Sequence, residues 1–337
     1  MNRKRVVLVC PGRGSYSRDA LGSLQGRQSP SLAAADRYRA SLGRPTPSEL
    51  DAAPAFTSKL HLAGENASIL TMAATLADVD ELGAVDIVAI VGNSMGWYTA
   101  LAVAGALDLD AGMELVETMG AWQTGRVIGG QAVYPLVDGD WRPWPCTELD
   151  AALREIPDLY PSIYLGGQLV LGGTPGALAT LNMRLPPRKL GDRDAPLQLP
   201  LHSAFHTPLL AETAVHARIE LGRLPWAAPR LPLIDGTGQI WRPRHADPAG
   251  IRDYTLHKQV VEPYDFSKGL RVALREYAPD VVVLPGPGGN LGGAVGQVMV
   301  AEGWRGIRSR ADFLQKQEEA PVLLSMARPE QRQQLGS

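Results

Sequence analysis

The chain of 337 residues is 45% hydrophobic and 20% charged, ordinary globular usage that excludes disorder over its whole length. Its 33 Lys and Arg against 35 Asp and Glu leave a net charge of −2, so no global positive field exists to hold nucleic acid. Two cysteines, Cys10 and Cys146, are too few for a disulfide framework or a Cys-rich zinc site, and they suit a reducing cytosol.

Near the start, Arg3-Lys4-Arg5 precedes an apolar run over 6–10 only, too short for a signal peptide. No apolar run approaches the ~20 residues that a membrane helix needs. A cytoplasmic protein is expected. Residues 5–10 read as a buried strand, ended by Pro11-Gly12-Arg13-Gly14. Residues 15–60 are polar and broken by Gly and Pro, with a helix predicted over 31–42. The Ala- and Leu-rich stretch 66–82 predicts another. Residues 85–91 form a short β-branched run, the pattern of a strand covered on both faces. Gly92 ends it, and helices are predicted over 95–107 and 111–123. From about 127 to 200 the composition shifts. Strand-like runs (131–137, 162–171) and helical stretches (148–156, 176–185) are separated by Pro and Gly, which predicts a small α+β unit. Parallel-type signals then resume: a strand at 231–235, a helix at 267–277 and a strand at 281–284. After about Arg310 the chain is Gln- and Glu-rich and is expected to fray as a tail, 311–337. The alternation predicts an α/β fold with a mostly parallel sheet, interrupted by the 127–200 unit.

Gly92-Asn93-Ser94-Met95-Gly96 matches G-x-S-x-G. It follows the best predicted strand and precedes a helix, as a nucleophile elbow requires. The glycines relieve the steric conflict of a tight strand-to-helix turn, and the helix N-terminus offers free N–H groups. The bland alternative is a turn whose serine caps the helix. A serine nucleophile needs a base. Of six histidines, His61 and His245 lie in polar loops and are expected to be solvated, His216 sits on a helix, and His257 adjoins Lys258. His202 and His206 share Pro200-Leu-His-Ser-Ala-Phe-His-Thr-Pro208. The flanking prolines oppose a regular helix and so an i,i+4 metal pair. A loop with Phe205 beside His206 suits a base at a pocket wall, although each histidine alone also fits a non-catalytic role. Neither Gly12-Arg13-Gly14 nor Gly286-Pro287-Gly288-Gly289 completes G-x-G-x-x-G, and no G-x-x-x-x-G-K-[ST] occurs. Gly12 and Gly14 better fit a backbone N–H aimed at a reaction centre. Trp97 and Trp122 read as core aromatics.

Together these pieces resemble the malonyl-CoA:acyl-carrier-protein transacylase family, including the acyltransferase domains of polyketide synthases, in order from Val6 to about Val295. Cys10-Pro-Gly-Arg-Gly-Ser15 is similar to F-P-G-Q-G-S, and Gly92-Asn-Ser-Met-Gly96 with Ala104-Gly-Ala-Leu107 to G-H-S-x-G…A-G-A-L. Gln168-Leu-Val-Leu-Gly-Gly173 resembles Q-V-V-I-S-G, and Ser203-Ala-Phe-His-Thr-Pro-Leu-Leu210 resembles H-A-F-H-S-P-L-M. Gln259-Val-Val-Glu-Pro263 fits Q-L-x-x-P, and Gly286-Pro-Gly-Gly-Asn-Leu291 fits G-P-G-x-x-L.

The resemblance implies an α/β-hydrolase-like large domain (1–126 and 201–310) with an inserted ferredoxin-like subdomain (127–200). It implies ping-pong acyl transfer from a coenzyme A thioester to the phosphopantetheine thiol of an acyl carrier protein, with no permanently bound metal or redox cofactor. Carried over by position, Ser94 takes the acyl group and His206 its proton. The backbone carbonyl of Gln259 orients the imidazole, and the N–H groups of Met95 and Arg13 hold the oxyanion. Asn93, Met119 and Phe205 fall at substrate-binding positions. Three residues depart from the pattern: Asn93 replaces His, Arg13 replaces Gln, and Met119 replaces the Arg that pairs with a malonyl carboxylate. A buried carboxylate without a partner is costly, and a thioether cannot pair with it. An uncharged acyl group is therefore expected, unless Arg13 or Arg126 reaches the pocket. Two other readings follow: an editing hydrolase that uses water as second nucleophile, as in family members lacking this arginine, and a catalytically degenerate carrier-docking subunit. The basic stretch Arg184…Arg188-Lys189…Arg193 fits a carrier or coenzyme A phosphates, or a solvated loop.

Overall fold

The computed structural model describes residues 3–122 and 127–335. In chain order the strands are β1 (Lys4–Cys10), β2 (Val85–Gly92), β3 (Gly130–Pro135), β4 (Leu159–Leu165), β5 (Gln168–Gly173), β6 (Arg188–Leu190), β7 (Arg193–Ala195), β8 (Leu197–Leu199), β9 (Leu233–Ile234), β10 (Ile240–Trp241), β11 (Tyr264–Asp265), β12 (Val281–Leu284) and β13 (Leu323–Ser325). The larger sheet has the order β10-β9-β2-β1-β12-β13 and is parallel except at β9–β10. Its centre is the β-branched run of β1, where Val6 to Cys10 are 0% exposed, flanked by the equally buried β12. Each such aliphatic side chain stabilises the sheet by roughly 1.5–3 kcal/mol.

Helix Gly96–Ala104 packs on β1 and β2, and helix Phe266–Tyr277 packs on β2 and β9. Helices start where the sequence supplies caps. Ser29 accepts from Leu32 N before Pro30–Ser41, and Asp108 accepts from Ala111 N before Leu109–Ala121. None of the helices is long and apolar enough to cross a membrane, among the described residues.

The smaller sheet has the order β11-β4-β5-β3-β8. The pairs β4–β5, β3–β5 and β3–β8 are antiparallel. Helix Thr147–Glu155 joins β3 to β4, and helix Pro175–Arg184 follows β5. The single strand expected at 162–171 is instead a hairpin, because Gly166 takes φ of 60° and turns the chain between β4 and β5. β11 comes from outside 127–200 and pairs parallel to β4, tying the two sheets together.

The C-terminal stretch does not fray. Helix Arg310–Glu319 leads to β13, which pairs with β12, and helix Pro329–Arg332 closes the end. Gln317 explains why a Gln-rich sequence is ordered here: its Oε1 accepts from Val322 N and Leu323 N, and its Nε2 donates to Leu323 O.

Candidate active site

β2 ends in the turn that carries Ser94. Ser94 sits at φ 55°, a left-handed conformation that non-glycine residues rarely adopt. Asn93 N donates to Cys10 O at 3.0 Å, and Gly96 N donates to Asn93 O at 2.8 Å, which tightens the turn. The two motif glycines are required by close approach. A Cβ on Gly92 would lie 2.3 Å from Trp97 N, and one on Gly96 would lie 2.1 Å from Cys10 O.

Ser94 Oγ lies 2.7 Å from His206 Nε2. His206 Nδ1 lies 2.5 Å from the main-chain carbonyl of Gln259. That carbonyl can only accept, so Nδ1 carries the ring proton and Nε2 receives the serine hydroxyl. His206 itself sits at φ 58° and is 4% exposed. Burial pushes its imidazolium down to about 4, opposed by the Gln259 hydrogen bond. The imidazole is thus neutral near pH 7, the state a general base needs.

Gln259 follows a π-helical turn, Tyr254–Lys258, a distortion that recurs at functional sites. Its side chain does further work that sequence reading missed. Gln259 Nε2 donates to Ser94 O at 3.1 Å, and its Oε1 accepts from Tyr98 Oη at 2.8 Å. Tyr264 was missed as well: it donates to Gly92 O at 2.7 Å, and its ring centroid lies 5.5 Å from that of His206. Both tyrosines are buried, but their partners are more than 160 residues away in sequence, so no local pattern announces them.

All the sequence-derived residues line one cleft of about 480 Å³: Arg13, Asn93, Ser94, Met95, Met119, Phe205, His206 and Gln259. Arg13 opens a 3-10 turn and Met95 precedes helix Gly96–Ala104, positions where N–H groups have no i−4 acceptor. Asn93 is 8% exposed. Met119 and Phe205 pack with Leu210 and Val260 into an apolar wall. The Arg13 guanidinium donates to the carbonyls of Leu62 and Leu201 and lies 5.7 Å from the Phe205 ring centroid. Its Nε and Nη1 are enclosed without partners among the described residues, and burial lowers its pKa to about 10. Arg126 lies outside the described residues.

The other histidines divide. His202 lines the cleft. His61, expected to be solvated, is 0% exposed: it ends the short helix Ser58–His61, stacks between Tyr16 and Phe56, and bonds the carbonyl of Leu50. His216, His245 and His257 are exposed. Trp97 is a core residue, as expected, donating to Thr255 Oγ1 at 2.9 Å. Within the basic stretch, Arg184 pairs with Glu155 and Lys189 with Asp194. Arg188 packs over Trp144 and Tyr134 and donates to Pro145 O. Arg193 is the member of the stretch that lines the cleft.

No family model matches the chain, and no curated protein matches its sequence. Solved structures share its fold. The malonyl-CoA:acyl carrier protein transacylase of Synechocystis sp. PCC 6803 superposes with a TM-score of 0.75 at 16% identity, over 98% of this chain and 100% of the other. The malonyl-CoA–acyl carrier protein transacylase of Coxiella burnetii gives 0.75 at 19% identity, over 99% of each chain. A malonyl-transacylase solved in complex with its type II polyketide synthase acyl-carrier protein gives 0.69 at 19% identity, over 88% of this chain and 93% of the other. This chain therefore has the α/β fold of those transacylases.

Proposed function

We propose that this protein transfers acyl groups from coenzyme A thioesters to the phosphopantetheine thiol of an acyl carrier protein, through an acyl-Ser94 intermediate. The observation that carries this reading is the Ser94–His206–Gln259 relay, with distances of 2.7 and 2.5 Å, at the wall of a thioester-sized cleft. Ser94 Oγ attacks the thioester carbon while His206 Nε2 takes the hydroxyl proton. The N–H groups of Met95 and Arg13 hold the developing oxyanion; both donors are main-chain, so the identity of the side chain at 13 does not matter to this role. The C–S bond breaks, and His206 returns the proton to the departing coenzyme A sulfur. The carrier thiol then gives its proton to His206 and attacks the acyl ester, and Ser94 leaves with that proton restored. The Gln259 carbonyl keeps the ring in the working tautomer throughout.

The neighbour solved with its carrier protein supports such a partner here. The β-α-β-β-α-β order of the smaller sheet supports reading 127–200 as a ferredoxin-like insertion in a hydrolase-like domain. The apolar wall of Met119, Phe205, Leu210 and Val260 supports an uncharged acyl group, while the Arg13 guanidinium, in the same cleft and 5.7 Å from the Phe205 ring centroid, is a cation that a malonyl carboxylate could meet. Retention of the relay argues against a degenerate docking subunit. A hydrolase shares the first half-reaction and differs only in the second.

Intact mass after incubation with acetyl-, butyryl- and malonyl-CoA tests the reading. Wild type should gain one uncharged acyl group, and Ser94→Ala should gain none. Slow breakdown of the acyl-enzyme that accelerates on adding a holo-carrier favours transfer over hydrolysis. Labelling that persists in Ser94→Ala would end the assignment, and fastest loading by malonyl-CoA would overturn the uncharged preference.

A further inference from the structure

His202 heads a buried polar chain that the relay does not use. The main-chain carbonyl of Phe205 can only accept, and Ser162 Oγ donates to it at 2.7 Å. Ser162 Oγ therefore accepts from Gln131 Nε2, at 2.6 Å. This turns Gln131 Oε1 toward His202 Nδ1, at 2.8 Å. Nδ1 must carry the ring proton, and Nε2 is left as a lone pair. Gln131 and Ser162 are 1% and 0% exposed, so water cannot substitute within the chain and reverse its direction. His202 lines the cleft, and its Nε2 has no hydrogen-bond partner among the described residues. Burial and the neighbouring Arg13 cation keep the ring neutral, with its pKa lowered to about 3.

The ring stands beside the oxyanion loop. Its Cε1 lies 4.0 Å from where a Cβ on Gly14 would be, one residue beyond Arg13. A lone pair there sorts substrates by chemistry. A plain alkyl chain leaves it unpaired once water is expelled, and a carboxylate, which only accepts, cannot satisfy it. A hydroxyl close to the thioester carbonyl satisfies it.

Resting on the acyl-transfer reading, we propose that His202 is a specificity residue that accepts a hydrogen bond at Nε2 from the hydroxyl of a 3-hydroxyacyl thioester, so that hydroxyacyl groups are the favoured cargo. Gln131 and Ser162 are positioning residues that hold the tautomer.

The test is competitive loading of Ser94 from equal concentrations of 3-hydroxybutyryl-, butyryl- and malonyl-CoA, followed by intact mass. Wild type should load 3-hydroxybutyryl about tenfold faster than butyryl, the ratio worth one net hydrogen bond. That ratio should stay constant from pH 6 to 9. His202→Phe should bring it close to one, and Gln131→Leu, which frees the ring to take either tautomer, should lower it. A ratio within one sample does not depend on how much of a variant is folded. The proposal is overturned by a wild-type ratio near one or by a ratio unchanged in His202→Phe. An equal loss on all three substrates, which would place the donor in the shared pantetheine arm, or fastest loading by malonyl-CoA, would also overturn it. Failure of wild type to load any of them would instead overturn the acyl-transfer reading beneath it.

Discussion

Ser94 and His206 both hold left-handed backbone, at φ 55° and 58°. Each costs of order 1–2 kcal/mol, which the surrounding hydrogen bonds must offset. Gln259 does this from both ends, its carbonyl taking His206 Nδ1–H and its amide holding Ser94 O. The carbonyl role followed from the resemblance; the amide role was not legible, because 165 residues separate the partners. His61 misled the reading for a related reason: polar neighbours in sequence said nothing of the aromatic rings of Tyr16 and Phe56 that enclose it. Burial also makes the pH dependence specific. In the proposed reaction only neutral His206 can take the serine proton, so the rate should fall as pH drops through its pKa of about 4, not through the usual histidine range. Acyl-enzyme formation measured in single turnovers should be flat from pH 6 to 9 and fall below about pH 5. An inflection near 6.5 would mean that the imidazole is solvated and the relay is not assembled.

Elements that bury a long face were readable. The β-branched runs of β1 and β12 and the helices Gly64–Asp80 and Phe266–Tyr277 emerged close to their predicted bounds. Strands of two residues, such as β9, β10 and β11, carry no period and were invisible or overextended. The π-helical turn before Gln259 was equally silent, since no residue pattern sets its five residues apart. The elbow is the opposite case, because its constraints are steric and local. Gly96 is where helix Gly96–Ala104 crosses the end of β1, and an added methyl would meet Cys10 O at 2.1 Å. Backbone cannot rotate aside as a side chain can. Gly96→Ala should therefore lower Tm and abolish Ser94 acylation, whereas Gly293→Ala, at a helical glycine with open space around its Cβ position, should do neither. Thermal melts and intact mass decide this. A Gly96→Ala protein that acylates at the wild-type rate would show that the turn is looser than described.

At the scale of the whole molecule, the order of short motifs predicted the fold, while the tail was misjudged. Its composition is polar because its glutamines make the hydrogen bonds: Gln317 caps the entry to β13, and Gln331 Oε1 accepts from Ser325 N. The tail also reaches the cleft indirectly. Arg332 pairs with Asp78 at 2.7 Å and with Glu81 at 2.5 Å, and Asp78 is 1% exposed. The other oxygen of Asp78 accepts from Gly286 N at 2.5 Å, at the start of the loop whose Asn290 and Leu291 line the cleft. Arg27 shares Asp78, at 2.5 Å, so removing Arg332 leaves the buried carboxylate half-paired rather than bare. The loss should lie near the lower end of the 3–5 kcal/mol typical of a broken buried pair. Arg332→Met should therefore lower Tm by several degrees, while Arg328→Met, an exposed neighbour, should leave it unchanged. Adding Arg27→Met to Arg332→Met should destabilise by more than the two single changes summed, because only the double variant strands Asp78 without a cation. Strict additivity in a double-mutant cycle of melting curves would show that the clamp does not act as one unit, and that the tail is merely laid against the sheet.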